Sequence, residues 1–287
     1  MNSDSTGDLT GDRVVPTICG ACHNSCGMLV HVRDGVIQDI KGNPDHPMNR
    51  GTLCVKGRAM AELTRSPQRL KRPLKRVGLR GEGRWQEVPW NEALDLMAAR
   101  LGEIASQYGP ETLLYSCGAR IVSPASTRPP AKVELYSQRF AGLGYEPLPT
   151  YHEPAESPIS TPLVARDYPL IGVNRRPLAY VHYKYRNIPA LRKLEPDPCV
   201  RLSPGDAGQR GIANGEWAAV SSPRGRIRMK TLVSDKMRDG VVWIDGGWGN
   251  PWDYPDANIN VLTDNQALDP QAQCASTASF LCQVAKE

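Results

Sequence analysis

The stretch "ICGACHNSCG", Ile18 to Gly27, places Cys19, Cys22 and Cys26 in a single tight loop. With Cys54 they give the spacing C-x2-C-x3-C-x27-C, while Cys117, Cys199, Cys274 and Cys282 are scattered. Clustered thiols can staple a loop, grip a zinc ion or hold an iron–sulfur cluster. A disulfide framework is a poor fit to a chain of 287 residues without a secretory signature. Structural zinc usually draws on two short knuckles, each giving two corners of a tetrahedron. Here three thiols come from one loop and the fourth from a returning segment, which favours a [4Fe–4S] cube and leaves zinc as the alternative. Gly20 and Gly27 let the backbone pass close to such a group. His23 lies inside the loop, as a ligand, a tuning hydrogen bond or an exposed polar residue.

Working outward, composition sets bounds. The apolar fraction of 40% is enough for a core, and Gly 26 and Pro 25 argue for many turns and short elements. Net charge is +5, with basic residues concentrated from Arg65 to Arg84. Two prolines interrupt that run and no aromatics interleave it, so it reads as a solvated connector rather than a nucleic-acid surface. No window is apolar enough for a membrane span. The polar start "MNSDSTGDLTGDRVVP" lacks an apolar h-region and an Arg-Arg pair, so a disordered tail and a cytoplasmic location with reduced thiols are expected.

Local patterns add detail. Val30 and Val32, then Val36, Ile37 and Ile40, flank Asp34-Gly35 as a hairpin, and "GNPDHPMNRG" returns the chain to Cys54. Leu94, Met97, Ala98, Leu101, Ile104 and Ala105 recur at helical spacing, with Asn91 as N-cap and Gly109-Pro110 as terminator. A short strand, 112–116, is expected to follow. Further on, Ile227, Met229, Thr231 and Val233 alternate with Arg226, Arg228 and Lys230, giving a strand with one buried face. "ANG", "SPRG" and "RDG" supply turns.

The four-cysteine spacing, the G-N-P-x-H-P loop and "CVKG" at Cys54 to Gly57 resemble the N-terminal domain of the molybdopterin oxidoreductases of the dimethyl sulfoxide reductase family. The segment from Val181 to Asn187, "VHYKYRN", and the run from Cys199 to Gly249 resemble that family's C-terminal cofactor-capping domain. The resemblance implies an α+β chain: a small iron–sulfur β domain with a helix-strand extension, joined to a double-psi β-barrel. It divides the chain into a tail (1–15), a 4Fe–4S domain (16–65), a remnant of the first α/β domain (66–118), a linker (119–131) and a dinucleotide-binding-like barrel domain (132–287). It implies Cys19, Cys22, Cys26 and Cys54 as cluster ligands and Lys56 as an electron relay. It also implies His182, Arg186, Asn258 and Asn260 as contacts to molybdopterin guanine dinucleotide carrying molybdenum or tungsten.

Members of the family carry large α/β domains between these two ends, and those domains hold the metal ligand. Here "YSCGAR" runs through a Pro- and Ser-rich bridge straight into "KVELYS". Cys117 precedes the place where that ligand would fall and is read as a packed strand-end thiol. Asn174, Arg175 and Arg176 replace a Thr-Gly-rich turn of many relatives, and the two arginines could clamp phosphate or simply be exposed. The expected function is electron transfer between a 4Fe–4S cluster and a molybdenum or tungsten dinucleotide site in a truncated oxidoreductase. The alternatives are a cluster-bearing electron-transfer or assembly module and an inactive internal-deletion product. A redox subunit or a full-length catalytic chain is the partner such a chain calls for.

Overall fold

A computed structural model describes residues 11–112, 136–148, 150–251, 253–266, 268 and 279–287. Cys117, Cys274 and the bridge 119–131 lie outside these residues, as does nearly all of the strand expected at 112–116.

The first sheet is antiparallel, in the order β1 (Asp12–Ile18), β2 (Gly27–Arg33), β3 (Val36–Gly42). The hairpin turn has Asp34 at φ 48° and Gly35 at φ 75°, the paired positive values that match the twist of the flanking strands. The strand β1 begins inside the segment expected to be a tail. Asp12 pairs with Arg33 in register and takes a 2.6 Å bond from its guanidinium, so the ladder and a charge pair extend the sheet to that residue.

Two short helices follow the cysteine return, α1 (Val55–Arg58) and α2 (Met60–Arg65). A small hairpin of β4 (Leu74–Arg76) and β5 (Trp85–Glu87) leads into α3 (Trp90–Tyr108). Pro89, not Asn91, occupies the N-cap, because proline presets the extended backbone from which the helix starts. Gly109 at φ 87° ends it. No residue of α3 is buried, and Leu94 and Met97 on its apolar stripe are 57% and 60% exposed. The stripe that predicts a buried face therefore has no cover among the described residues.

The larger body is a closed six-stranded barrel. After α4 (Gln138–Gly142) and α5 (Pro162–Asp167) come β6 (Leu170–Arg175), α6 (Pro189–Leu194), β7 (Cys199–Leu202), α7 (Pro204–Gln209), β8 (Trp217–Ser222), β9 (Gly225–Val233), β10 (Val241–Asp245) and β11 (Phe280–Lys286). The order around the barrel is β10-β6-β11-β8-β9-β7, with β10 also paired to β7. Two pairs are parallel, β10 with β6 and β7 with β9, and the other four are antiparallel. Alternation fills the interior as expected: Ile227, Met229 and Thr231 of β9 are buried, and their basic neighbours point outward.

The two bodies share a core. Ala59 belongs to the barrel's apolar cluster, and Val55, Met60 and Leu63 pack against it. Met60 and Tyr185 also touch the cluster of Cys19, Ala21, Met28, Ile40, Leu53 and Ala61 under the first sheet. Full burial of such side chains contributes about 1.5–3 kcal/mol each, and these half-buried ones less.

Candidate functional site

The loop between β1 and β2 folds back on itself through the amide of Cys19, which donates to the carbonyl of Cys26 at 2.8 Å. The returning loop is pinned by Asn49. Its Oδ1 accepts from the Gly27 amide at 2.8 Å, and its Nδ2 donates to the carbonyls of Gly27 at 3.0 Å and Thr52 at 2.7 Å. Close packing of the loops needs two glycines. A Cβ on Gly27 would meet the His46 ring at 2.5 Å, and one on Gly42 would meet the Gly51 carbonyl oxygen at 2.1 Å.

These contacts bring Cys19, Cys22, Cys26 and Cys54 to the wall of one cavity of about 350 Å³, with Ala21, Leu53 and polar loop residues completing the lining. Cys19 is buried, Cys22 and Cys26 half-buried and Cys54 exposed. Burial pushes the Cys19 thiol up. A hydrogen bond from the Ala21 backbone opposes that, and the other three thiols add to it by like-charge repulsion. Among the described residues no three His, Cys, Asp or Glu side chains close on a single metal ion. Thiols spread around a common cavity suit a cube of several irons, so the residues fit that group.

Lys56 does not line the cavity. Its Nζ crosses to the barrel domain and donates to the Leu178 carbonyl at 2.7 Å. His23 does not line it either; its carbonyl accepts from the Ser25 hydroxyl at 3.5 Å.

A second constellation forms where the barrel's lead-in meets the turn "GGWGN", Gly246 to Asn250. Arg186 is buried with its guanidinium 3.5 Å from the Trp248 ring centroid and 4.4 Å from that of Tyr180. Its Nη2 donates to the Gly247 carbonyl, while Nε and Nη1 are buried with no partner. Burial pushes its pKa down to about 10. The same turn gathers three other segments. A Cβ on Gly246 would meet Asn174 Oδ1 at 2.4 Å, one on Gly247 the His182 carbonyl at 2.4 Å, and one on Gly249 the Asn258 Cβ at 2.4 Å. His182 itself is exposed and sits at φ 51°. Asn258 caps the short turn Ile259–Val261 by accepting from the Asn260 amide at 3.1 Å, and Asn260 is exposed. Asn174 Oδ1 and Trp248 Nε1 are, like the two Arg186 nitrogens, buried without a partner. Unsatisfied buried polar atoms around one glycine-rich turn fit a polar ligand group drawn against it.

Arg175 is not free to clamp phosphate. It is tied to Asp245 at 2.7 Å and Glu195 at 2.8 Å inside the domain, whereas Arg176 is exposed. Asn49, Tyr185 and Trp248 are the residues that sequence reading passes over. Only Trp248 carries a local signal, as an aromatic between glycines.

A four-thiol cavity on a small β-sheet, packed against a closed barrel with a glycine-rich turn, defines an iron–sulfur protein of the molybdopterin-dependent class. The family models agree: the molybdopterin oxidoreductase Fe4S4 domain matches residues 12–66, molybdopterin oxidoreductase 69–126, and the molydopterin dinucleotide binding domain 170–281. The chain belongs to the molybdopterin oxidoreductases of the dimethyl sulfoxide reductase family. The matched domains support a 4Fe–4S cluster and a molybdopterin guanine dinucleotide with molybdenum or tungsten.

Among its relatives, acetylene hydratase of Syntrophotalea acetylenica is 32% identical over 169 residues, 56% of this chain and 23% of that protein. Thiosulfate reductase molybdopterin-containing subunit PhsA of Salmonella typhimurium is 34% identical over 103 residues, 36% of this chain and 14% of that protein. Dimethyl sulfoxide reductase DmsA of Escherichia coli is 32% identical over 123 residues, 41% of this chain and 15% of that protein. The match thus spans less than a quarter of these relatives' lengths. The solved acetylene hydratase from Pelobacter acetylenicus shares the fold, with a TM-score of 0.51 at 23% identity, over 97% of this chain and 38% of that one. No described helix is long and apolar enough to cross a membrane.

Proposed function

We propose that this chain carries electrons between a 4Fe–4S cluster at Cys19, Cys22, Cys26 and Cys54 and a molybdenum or tungsten site held by bis-molybdopterin guanine dinucleotide. The observation that carries the reading is the convergence of the four thiols on one cavity in a domain whose core continues into the barrel. The cluster, when bound, supplies one-electron redox chemistry. The protein's part is to shield it and hold its ligands. Buried Cys19 and Ala21 keep water from one side, and Asn49 locks the loops that present the thiols. Lys56 sits on the helix next to Cys54 and reaches the barrel, which supports a role for its positive charge as the relay between the two sites. Arg186 offers unpaired donors to the dinucleotide, and the turn it stacks on adjoins His182 and Asn258, with Asn260 at the rim. The mixed parallel and antiparallel pairing supports reading the barrel as double-psi.

The catalytic core between the two ends is, in this reading, truncated. The apolar face of α3, uncovered among the described residues, supports it, as does a fold match that uses nearly all of this chain but 38% of the longer one. A bare face of that length is what removing a covering domain leaves. The deciding experiment is anaerobic purification, alone and co-expressed with a full-length relative, followed by iron, molybdenum, tungsten and pterin analysis. About four irons per chain with molybdenum or tungsten and pterin are expected. Iron without either metal or pterin in both preparations overturns the oxidoreductase reading. Cys22→Ser should abolish the cluster's EPR signal on reduction.

A further inference from the structure

Tyr185 joins the barrel domain to the cysteine loop. Its phenol donates to the carbonyl of Ala21 at 3.0 Å, and its ring packs against both apolar clusters. Ala21 is buried and lies between Cys19 and Cys22 in the loop. Its carbonyl is therefore committed to a tyrosine far along the chain, within the span that joins two of the four thiols.

The backbone at Tyr185 shows that the contact is held from the barrel side. Its φ is 77°, a left-handed value that a bulky residue adopts only when its surroundings impose it. The imposing elements are adjacent. Arg186 is anchored on Trp248 and the Gly247 carbonyl, and Val181 and Lys184 close a small loop through a 2.9 Å amide–carbonyl bond. A continuous path thus runs from the "GGWGN" turn through Arg186 and Tyr185 to Ala21, between Cys19 and Cys22.

We infer that Tyr185 is a positioning residue of the cluster: its hydroxyl fixes Ala21 and with it the backbone between Cys19 and Cys22, and by this the barrel domain tunes the reduction potential. The inference rests on the proposed cluster at the four cysteines. Backbone amides of a ligand loop that point at cluster sulfur stabilise the more negative, reduced form and so raise the potential. Removing the hydroxyl loosens the loop that carries those amides and lowers it.

The test compares wild type with Tyr185→Phe and Leu63→Ala, each reconstituted anaerobically with iron and sulfide. Iron content, melting temperature and an EPR-monitored redox titration are measured on all three. Tyr185→Phe keeps the ring and its packing, and its midpoint should move to a more negative potential than wild type. Loss of iron from a folded Tyr185→Phe protein, with wild type loaded, supports the same role. Leu63→Ala removes packing between the two bodies away from Ala21, and should melt lower without moving the potential. Equal iron content and superimposable titrations for wild type and Tyr185→Phe overturn the inference, as does an equal shift in Leu63→Ala. A folded wild-type protein that takes up no iron refutes the cluster reading itself, and the inference falls with it.

Discussion

Asn49→Ala should open the cysteine loops without unfolding the barrel. The side chain makes three hydrogen bonds, two to Gly27 and one to Thr52, all between 2.7 and 3.0 Å. Deleting it leaves the Gly27 amide without its acceptor, while the Gly27 carbonyl keeps its bond from the Asn43 amide at 2.9 Å. A net loss of about 1 kcal/mol per bond gives roughly 3 kcal/mol for the closed loop pair. At 1.36 kcal/mol per tenfold, that is a rise of roughly 150-fold in the open population. The assay is amide hydrogen exchange on metal-free protein, read at the amides of Asn43 and Gly51, whose own backbone bonds, to the Gly27 and Asn43 carbonyls, the substitution leaves in place. Both should exchange on the order of 100-fold faster, and barrel amides in β8 and β9 should keep their rates. Exchange at Asn43 and Gly51 within twofold of wild type would refute the idea that Asn49 holds the site together.

Three further outcomes follow from the same geometry. Gly42→Ala drives a Cβ to within 2.1 Å of the Gly51 carbonyl oxygen, a backbone atom that cannot swing aside. A cost of about 1–3 kcal/mol should lower Tm by roughly 3–10 °C in a thermal melt. Burial pushes Cys199 up to about 11 and Cys282 up to about 12. In metal-free native protein at about pH 8 their thiolate fractions are then on the order of 10⁻³ and 10⁻⁴, so iodoacetamide mapping should label exposed Cys54 first and leave these two unmodified. Asp197 is opposed by burial, but hydrogen bonds from Lys230 and Tyr254 outweigh this and hold its carboxyl below the ordinary value. A depressed carboxylate stabilises the fold above its unfolded value of about 3.9 and loses that contribution as pH falls through its folded value. Asp197→Asn should therefore flatten the acid limb of a stability-versus-pH curve below about pH 4; an unchanged limb would assign that slope to other groups.

What the sequence made legible was whatever repeats locally. The Asp34-Gly35 turn, the alternation of β9 and the thiol spacing each depend on neighbours a few residues apart, and the structure follows them. The contacts that organise the site join positions far apart in the chain. Tyr185 reaches Ala21 over 164 positions and Lys56 reaches Leu178 over 122. Nothing in "VHYKYRN" marks which tyrosine turns inward, because that depends on how Arg186 seats on Trp248. Arg175 was open as a phosphate clamp for the same reason. Asp245, which engages it, stands opposite it in the parallel register of β10 with β6.

The helix α3 shows the other limit of such reading. Leu94, Met97 and Leu101 repeat as a core-facing stripe should, yet all three are exposed. Periodicity records that a helix has something to cover it, without recording whether the cover lies in the same chain. The short helices α1 and α2 show the contrast. They carry weaker patterns, but Val55, Ala59, Met60 and Leu63 find the barrel and merge the two bodies into one apolar core. Segments joined in this way hold together through contacts of their own. The thiol cavity, held by Asn49 and Tyr185, keeps its contacts within the chain.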